Sequence, residues 1–289
     1  MRNLISAVLL LLALSVSARA YTDTGGRFTA GPDGYSELNF FAESGDDDYY
    51  LSPSLTTCKS DFMDRYYTYS LGAGLDRPLW RGSAELSITP EVEDYKKSAL
   101  YTDLSFNLLG EPEEGAALED VSLGAFGSLT LHEGSYSLST ATVISGRVEG
   151  AAASTLPGAV KLTQTDYGLT ASVRAYGVRV SGRFTKTAYN RDIPALDIRL
   201  PIDTDGTGGG GYQDKSVSAR VRFSSLPLSP ECGYVKTYYL LTRPNSESFN
   251  FGLSQKIGAA ELSAGWENFN PGGGAARSDY YSLGVAFSF

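Results

Sequence analysis

Along most of the chain, large apolar side chains alternate with small or polar ones. Reading back from residue 289, Phe289, Phe287, Val285, Leu283 and Tyr281 fall on one face, and Ser288, Ala286, Gly284 and Ser282 on the other. The same period of two runs through Phe249, Phe251 and Leu253 against Asn250, Gly252 and Ser254. It recurs in Tyr167, Leu169, Ala171 and Val173 against Gly168, Thr170, Ser172 and Arg174, and in Val217, Ala219, Val221 and Phe223 against Ser216, Ser218, Arg220 and Arg222. Successive side chains of a strand point to opposite faces, so this pattern predicts strands with one apolar and one polar face. Helical spacing fits none of these stretches.

Turn signals such as Gly31-Pro32-Asp33-Gly34, Tyr176-Gly177 and Pro271 to Gly274 separate the segments. The punctuation predicts fourteen strands, at about 35–42, 49–57, 65–75, 82–90, 98–108, 119–130, 135–145, 164–175, 178–189, 214–224, 232–242, 247–256, 260–269 and 279–289. Twelve is the alternative count, since Pro53 makes 49–57 a poor strand. Many of the segments have the nine to eleven residues that a tilted strand needs to cross a bilayer, longer than an ordinary globular strand. The predicted fold is all-β: a closed antiparallel transmembrane β-barrel. No shift of composition divides residues 21–289, which are read as a single domain.

The first twenty residues read differently. Arg2 precedes an apolar run from Ala7 to Leu14 and then Ala18-Arg19-Ala20, the three-part pattern of a cleaved export signal. Beyond residue 20 no apolar stretch is long enough for a membrane helix. Mean hydropathy of −0.16 and 42% hydrophobic residues therefore do not argue against a membrane barrel, whose inward residues dilute the average. Tyr49, Tyr50, Tyr66, Tyr67, Tyr69, Trp80, Tyr238, Tyr239, Trp266, Tyr280 and Tyr281 gather near strand ends, as the aromatic girdles of membrane barrels do.

With these features in place, the closing segment Tyr281-Ser282-Leu283-Gly284-Val285-Ala286-Phe287-Ser288-Phe289 resembles the C-terminal signature strand of Gram-negative outer-membrane β-barrel proteins. Tyr281, Leu283, Val285, Phe287 and Phe289 carry the resemblance. It implies residence in the bacterial outer membrane, contact with outer-membrane lipids and recognition by the barrel-assembly machinery. It singles out no particular porin family.

Charge narrows function. A net charge of −9 and pI near 4.8 speak against nucleic acid as a partner. On the lumen-facing rows the charges divide into two groups. Arg174, Arg179, Arg183, Arg220, Arg222 and Lys256 form a basic arc, and Glu37, Glu85, Asp103, Glu261 and Glu267 an acidic one. Opposed charged walls set up a transverse field across a narrow pore. The expectation is a porin-like passive channel for small hydrophilic solutes. The alternatives are a surface-loop binding or adhesion protein and a structural barrel without conductance.

A lipid-acting enzyme fits less well. It would need a serine–histidine pair facing the bilayer, and the single histidine, His132, is expected in a short periplasmic turn with Glu133 and Gly134. No cofactor or metal is expected. Gly208 to Gly211 lacks the Lys-Ser or Lys-Thr of a phosphate loop, and Asp203-Thr204-Asp205-Gly206 lacks the downstream Glu of a calcium loop. Cys58 and Cys232 are expected in two periplasmic connections, 2–3 and 10–11, set well apart on the rim, which disfavours a disulfide.

Overall fold

The computed structural model describes residues 21–46, 48–61, 63–92, 95–109, 117–137, 157–191, 212–240 and 244–289. They form fourteen strands: β1 (Tyr21–Ala30), β2 (Ser36–Gly45), β3 (Tyr49–Ser60), β4 (Met63–Arg77), β5 (Trp80–Val92), β6 (Tyr95–Asn107) and β7 (Leu118–Ser137), then β8 (Pro157–Ala175), β9 (Val178–Tyr189), β10 (Gln213–Phe223), β11 (Glu231–Tyr239), β12 (Ser246–Ile257), β13 (Ala260–Asn270) and β14 (Ser278–Ser288). Each strand pairs antiparallel with its sequence neighbours, and β14 pairs with β1, closing a barrel with no free edge. At the seam Thr22 and Phe289 exchange backbone hydrogen bonds of 3.1 and 2.9 Å.

The predicted total of fourteen is reached through two compensating differences. β1 was not foreseen. The segments expected as separate strands at 119–130 and 135–145 are, as far as Ser137, one strand, β7; the remainder of the second lies outside the described residues. Strand directions up to residue 130, the first part of β7 included, are therefore the reverse of those expected. The end bearing Tyr21 and Phe289 (the proximal end) receives the 46–48, 78–79, 108–117, 176–177, 224–230 and 258–259 connections; the distal end receives the others. Cys58 and Cys232 are correspondingly not in turns. Cys58 is in distal β3 and Cys232 in proximal β11, and both thiols are free.

Local chemistry accounts for several details. The β8–β9 hairpin turns on Tyr176 and Gly177, with φ of 50° and 72°, a pair of left-handed residues whose twist matches that of the flanking strands. Pro53 is accommodated within β3. Pairing with β2 runs to Phe41↔Ser54 and resumes at Ser44↔Leu51, leaving the ladder open on the side where proline has no N–H, while Pro53↔Leu71 holds the β4 side. β7 and β8 are 20 and 19 residues long, and their paired ends rise beyond β6 and β9 at the distal rim.

The barrel is apolar outside and polar inside. Leu86, Leu100, Leu123, Leu169, Phe184, Phe249 and Leu283 are among many large apolar residues exposed on the outer wall, Leu169 at 65% and Leu283 at 66%. Thr89, Thr130, His132, Gln164, Thr185 and Thr187 are among the buried residues. A barrel folded in water would hide the first set. Four Tyr-Tyr doublets split between the faces. Tyr49, Tyr67, Tyr238 and Tyr281 look outward, whereas Tyr50, Tyr66, Tyr239 and Tyr280 look into the lumen. Only the outward set can serve the expected girdle. The period of two makes the division.

Because every backbone group in an apolar surrounding must be paired internally, closure depends on β1. Deleting residues 21–30 should leave β2 and β14 with open edges and abolish the compact, heat-modifiable form on gel electrophoresis after refolding into detergent. The full chain should show that form.

Candidate functional site

The inner rows of the strands enclose two adjoining cavities. The distal one, of about 610 Å³, lies between Glu37 on β2, Phe126 on β7, Asp166 on β8, Arg183 on β9 and Glu267 on β13. The proximal one, of about 550 Å³, is lined by Arg27, Arg220, Arg222, Glu231 and Glu261 among others. Thr29, Glu37, Asn250, Glu267 and Tyr280 border both, so the two spaces meet along the β1–β2 and β12–β14 wall.

The expected basic residues lie mostly toward the proximal end, where most are matched by nearby acids. Arg174 Nε lies 2.7 Å from Glu119, an ion pair whose alignment is too poor for a hydrogen bond. Arg179 is 3.7 Å from Asp120, Arg220 3.3 Å from Glu231 and Arg222 4.0 Å from Glu261. Lys256 sits opposite Glu261 in the β12–β13 register. Glu261, read from the sequence as part of the acidic arc, thus belongs to the neighbourhood of two members of the basic arc.

Arg183 is held differently. Its guanidinium lies 3.6 Å from the centroid of Phe126 and 5.7 Å from that of Tyr101, a cation resting on aromatic faces. Gly168 makes room for this stack: a Cβ there would meet Phe184 O at 1.9 Å and the Phe126 ring at 2.7 Å.

The remaining acidic residues of the arc have uncharged partners. Glu37, on the strand diametrically across the ring from β9, accepts a hydrogen bond of 3.0 Å from Tyr35 Oη. Asp103 accepts one of 2.8 Å from Ser83, and Glu85 pairs in register with Tyr101 on the adjacent strand. Glu267 accepts from Ser248 Oγ. Of the residues expected to form an assembly signature, Tyr281, Leu283, Val285 and Phe287 line up on the outer face of β14 opposite β1 and β13, and Phe289 stacks on Phe287 at 6.3 Å.

The distal lumen wall contains a network that the sequence reading did not assemble. His132 is inside β7, faces the lumen and is buried, which corrects its expected place in a turn. Leu129 and Leu131 on the outer face alternate with Thr130 and His132 on the inner one, so the strand runs on through His132-Glu133-Gly134. Tyr95 Oη bonds Nδ1, and Nε2 lies 3.2 Å from Gln164 Oε1. The Gln164 amide in turn donates to Asp166 at 3.1 and 3.0 Å, which also accepts from Ser128 at 3.0 Å and Thr187 at 2.6 Å.

Donors and acceptors run in one consistent direction if His132 is neutral with its proton on Nε2: the Tyr95 hydroxyl donates to His132, His132 to Gln164 and Gln164 to the carboxylate. A histidine so enclosed in the lumen wall is turned away from the apolar outer face, where a serine–histidine pair acting on lipid would be expected. Asp166 could have been found from the sequence, because it shares the inward row of Gly168 and Thr170; Arg27 could not, because its strand was not foreseen. Residues 138–156 and 192–211, with the glycine run and the Asp203–Gly206 segment, lie outside the described residues, as do residues 1–20.

No protein-family model and no curated protein matches the sequence. Among solved structures the chain is similar to OccAB1 of Acinetobacter baumannii, at 10% identity over 93% of this chain and 95% of that one, with a TM-score of 0.47. It is also similar to the KdgM porin, at 10% identity over 92% and 99%, with a TM-score of 0.43. A third similarity is to the translocator domain of the autotransporter NalP from Neisseria meningitidis, at 13% identity over 100% and 96%, with a TM-score of 0.44. The architecture described here rests on this chain's own strand register.

Replacing Gln164 with Leu removes the partner of the His132 Nε2–H and a donor to Asp166. A buried polar group left unpaired costs about 1–3 kcal/mol. The variant should lose that amount of unfolding free energy and so unfold at a lower denaturant concentration, measured by tryptophan fluorescence of the refolded barrel.

Proposed function

We propose that the chain is an outer-membrane β-barrel of porin type, passing small hydrophilic solutes passively through its lumen and performing no covalent chemistry. The observation that carries this reading is the inversion of the barrel: an outer wall rich in exposed leucine, valine and phenylalanine around two adjoining polar cavities. The apolar wall suits hydrocarbon, where a closed barrel is the only strand structure with all its backbone groups paired. The charged and hydroxylated cavities suit water and polar solutes. In this reading residues 1–20 direct export, residues 21–289 are the barrel, the proximal end faces the periplasm, and the closing strand β14 is what the assembly machinery reads.

The lumen charges bear on selectivity. Arg174, Arg179, Arg220 and Arg222 stand beside carboxylates, which weakens the transverse field expected from two opposed walls. Arg183 is held by rings instead and faces Glu37 and Glu267 over the same cavity. Arg183 is the one cation among the described residues lining the distal cavity, and we take it to be the main positive contribution to the field there. A structural barrel with a closed lumen is the second reading, favoured by the buried wall around Tyr95, His132 and Leu162.

Purified protein in planar bilayers should give discrete channel openings; their absence under all salt and voltage conditions would favour the closed barrel. Replacing Arg179, Arg183 and Arg220 together with Gln should raise the cation-over-anion permeability ratio about twofold or more, read from the reversal potential in a salt gradient, because it leaves Asp120 and Glu231 uncompensated.

A further inference from the structure

The lysines are distributed unevenly. Of eight in the sequence, Lys59, Lys96, Lys161, Lys186, Lys215 and Lys236 occupy outward positions near the distal end. Lys97 and Lys256 are on inward rows. Among the described residues no lysine points outward at the proximal end. The chain as a whole is acidic, so this collar runs against the overall charge.

Its inner organisation also differs from a random scatter of surface amines. On β6, β7 and β8, Lys96, Glu133 and Lys161 form one cross-strand row, and Glu133 is shared between the two amines at 2.8 and 3.1 Å. On β9 and β10, Lys186 and Lys215 are direct register partners. Like charges placed opposite one another on adjacent strands are destabilising. Asp214 bonds Lys186, whereas Lys215 Nζ lies 4.9 Å from the Tyr238 ring centroid, which Lys236 Nζ also approaches, at 5.8 Å. Lys236 also pairs with Glu247 at 2.8 Å. From β6 to β11, five lysines thus meet three carboxylates, leaving an excess of positive charge directly above the apolar rows that hold Leu169, Phe184, Val217 and Phe249.

We propose that this collar binds the headgroups of lipids carrying more than one phosphate in the leaflet at the distal end. The proposal rests on the membrane reading given above and is independent of whether the lumen conducts. Neighbouring strands are about 4.8 Å apart, so the arc from β6 to β11 spans roughly 24 Å. That breadth exceeds the reach of a single phosphate but suits a wide headgroup with several. Amines snorkelling from the rim would meet the phosphates, while Tyr167 and Tyr238, which share the register row of Lys186 and Lys215, place apolar bodies in the acyl region and hydroxyls among the headgroups. The anion would relieve the Lys186–Lys215 opposition, which gives that costly pair a reason to persist.

The test uses the full mature barrel refolded into phosphatidylcholine vesicles doped with either lipid A, which carries two phosphates, or phosphatidylglycerol, which carries one. After re-extraction in mild detergent at 0.1 M salt, the lipid retained per barrel is measured by native mass spectrometry. Lipid A should be retained at least fivefold over phosphatidylglycerol and be stripped by 1 M salt. The K186Q/K215Q/K236Q variant should retain at least fivefold less lipid A, whereas Lys256→Gln should retain it like the parent. Heat-modifiable electrophoresis shows that each variant is folded. Equal retention by the folded triple variant, or equal retention of the two lipids, would overturn the proposal. Entry into vesicles without lipid preference overturns the collar alone; failure of every form to enter phosphatidylcholine vesicles overturns the membrane reading and the collar with it.

Discussion

A β-strand carries a hydrogen-bonding group on each side of its backbone, and a sheet in an apolar surrounding has no solvent to satisfy its edges. In this chain the constraint is met by one pairing, that of β1 with β14, which joins the two ends of the sheet from Asp23↔Ser288 to Ala30↔Tyr281. Everything else follows from a closed ring of consecutive antiparallel neighbours. Alternate residues must face either the outside or a shared interior, each connection returns to the same pair of ends, and the interior is only as wide as its inward side chains allow. Gly25 shows how tight the seam is, since a Cβ there would meet Val285 O at 2.5 Å.

Closure turns a sequence pattern into an inverted molecule. The apolar rows become an outer wall, while the polar rows condense into local sets. Acids from the proximal ends of β7, β11 and β13 settle beside the arginines of β8, β9 and β10. Higher in the lumen, the Tyr95–His132–Gln164–Asp166 chain and the Arg183–Phe126 stack hold their polar groups without full ion pairing. This division bears on the proposed transport. Paired charges near the proximal mouth contribute little net field, and the selective part of the passage is assigned to the distal cavity.

Much of the architecture was legible because the period of two survives wherever the outward row is filled with large residues, as in β14, β12 and β8. β1 was not, since its outward row is Thr22, Thr24, Gly26, Phe28 and Ala30, with one large apolar side chain among five. β7 was divided because His132-Glu133-Gly134 has the composition of a turn, and only the ladder with β6 and β8 keeps it extended. The tyrosine doublets were read as one girdle, although alternation alone sends one member of each inward. Of the candidate lumen residues, alternation gave the inward rows. Partners such as Glu119, Asp120 and Glu231 could not be paired with their arginines before the register across neighbouring strands was known. The meeting of Arg183 with Phe126 needed the register and also the absence of a side chain at Gly168.

The central claim is that one face of every strand meets lipid and the other meets a wet lumen. The most direct measurement is a nitroxide scan along β14 in reconstituted bilayers, with a label placed singly at each position from 280 to 287. Collisions with dissolved oxygen should dominate at positions 281, 283, 285 and 287, and collisions with a water-soluble nickel chelate at 280, 282, 284 and 286. A uniform profile, or one with the two sets exchanged, would contradict the account.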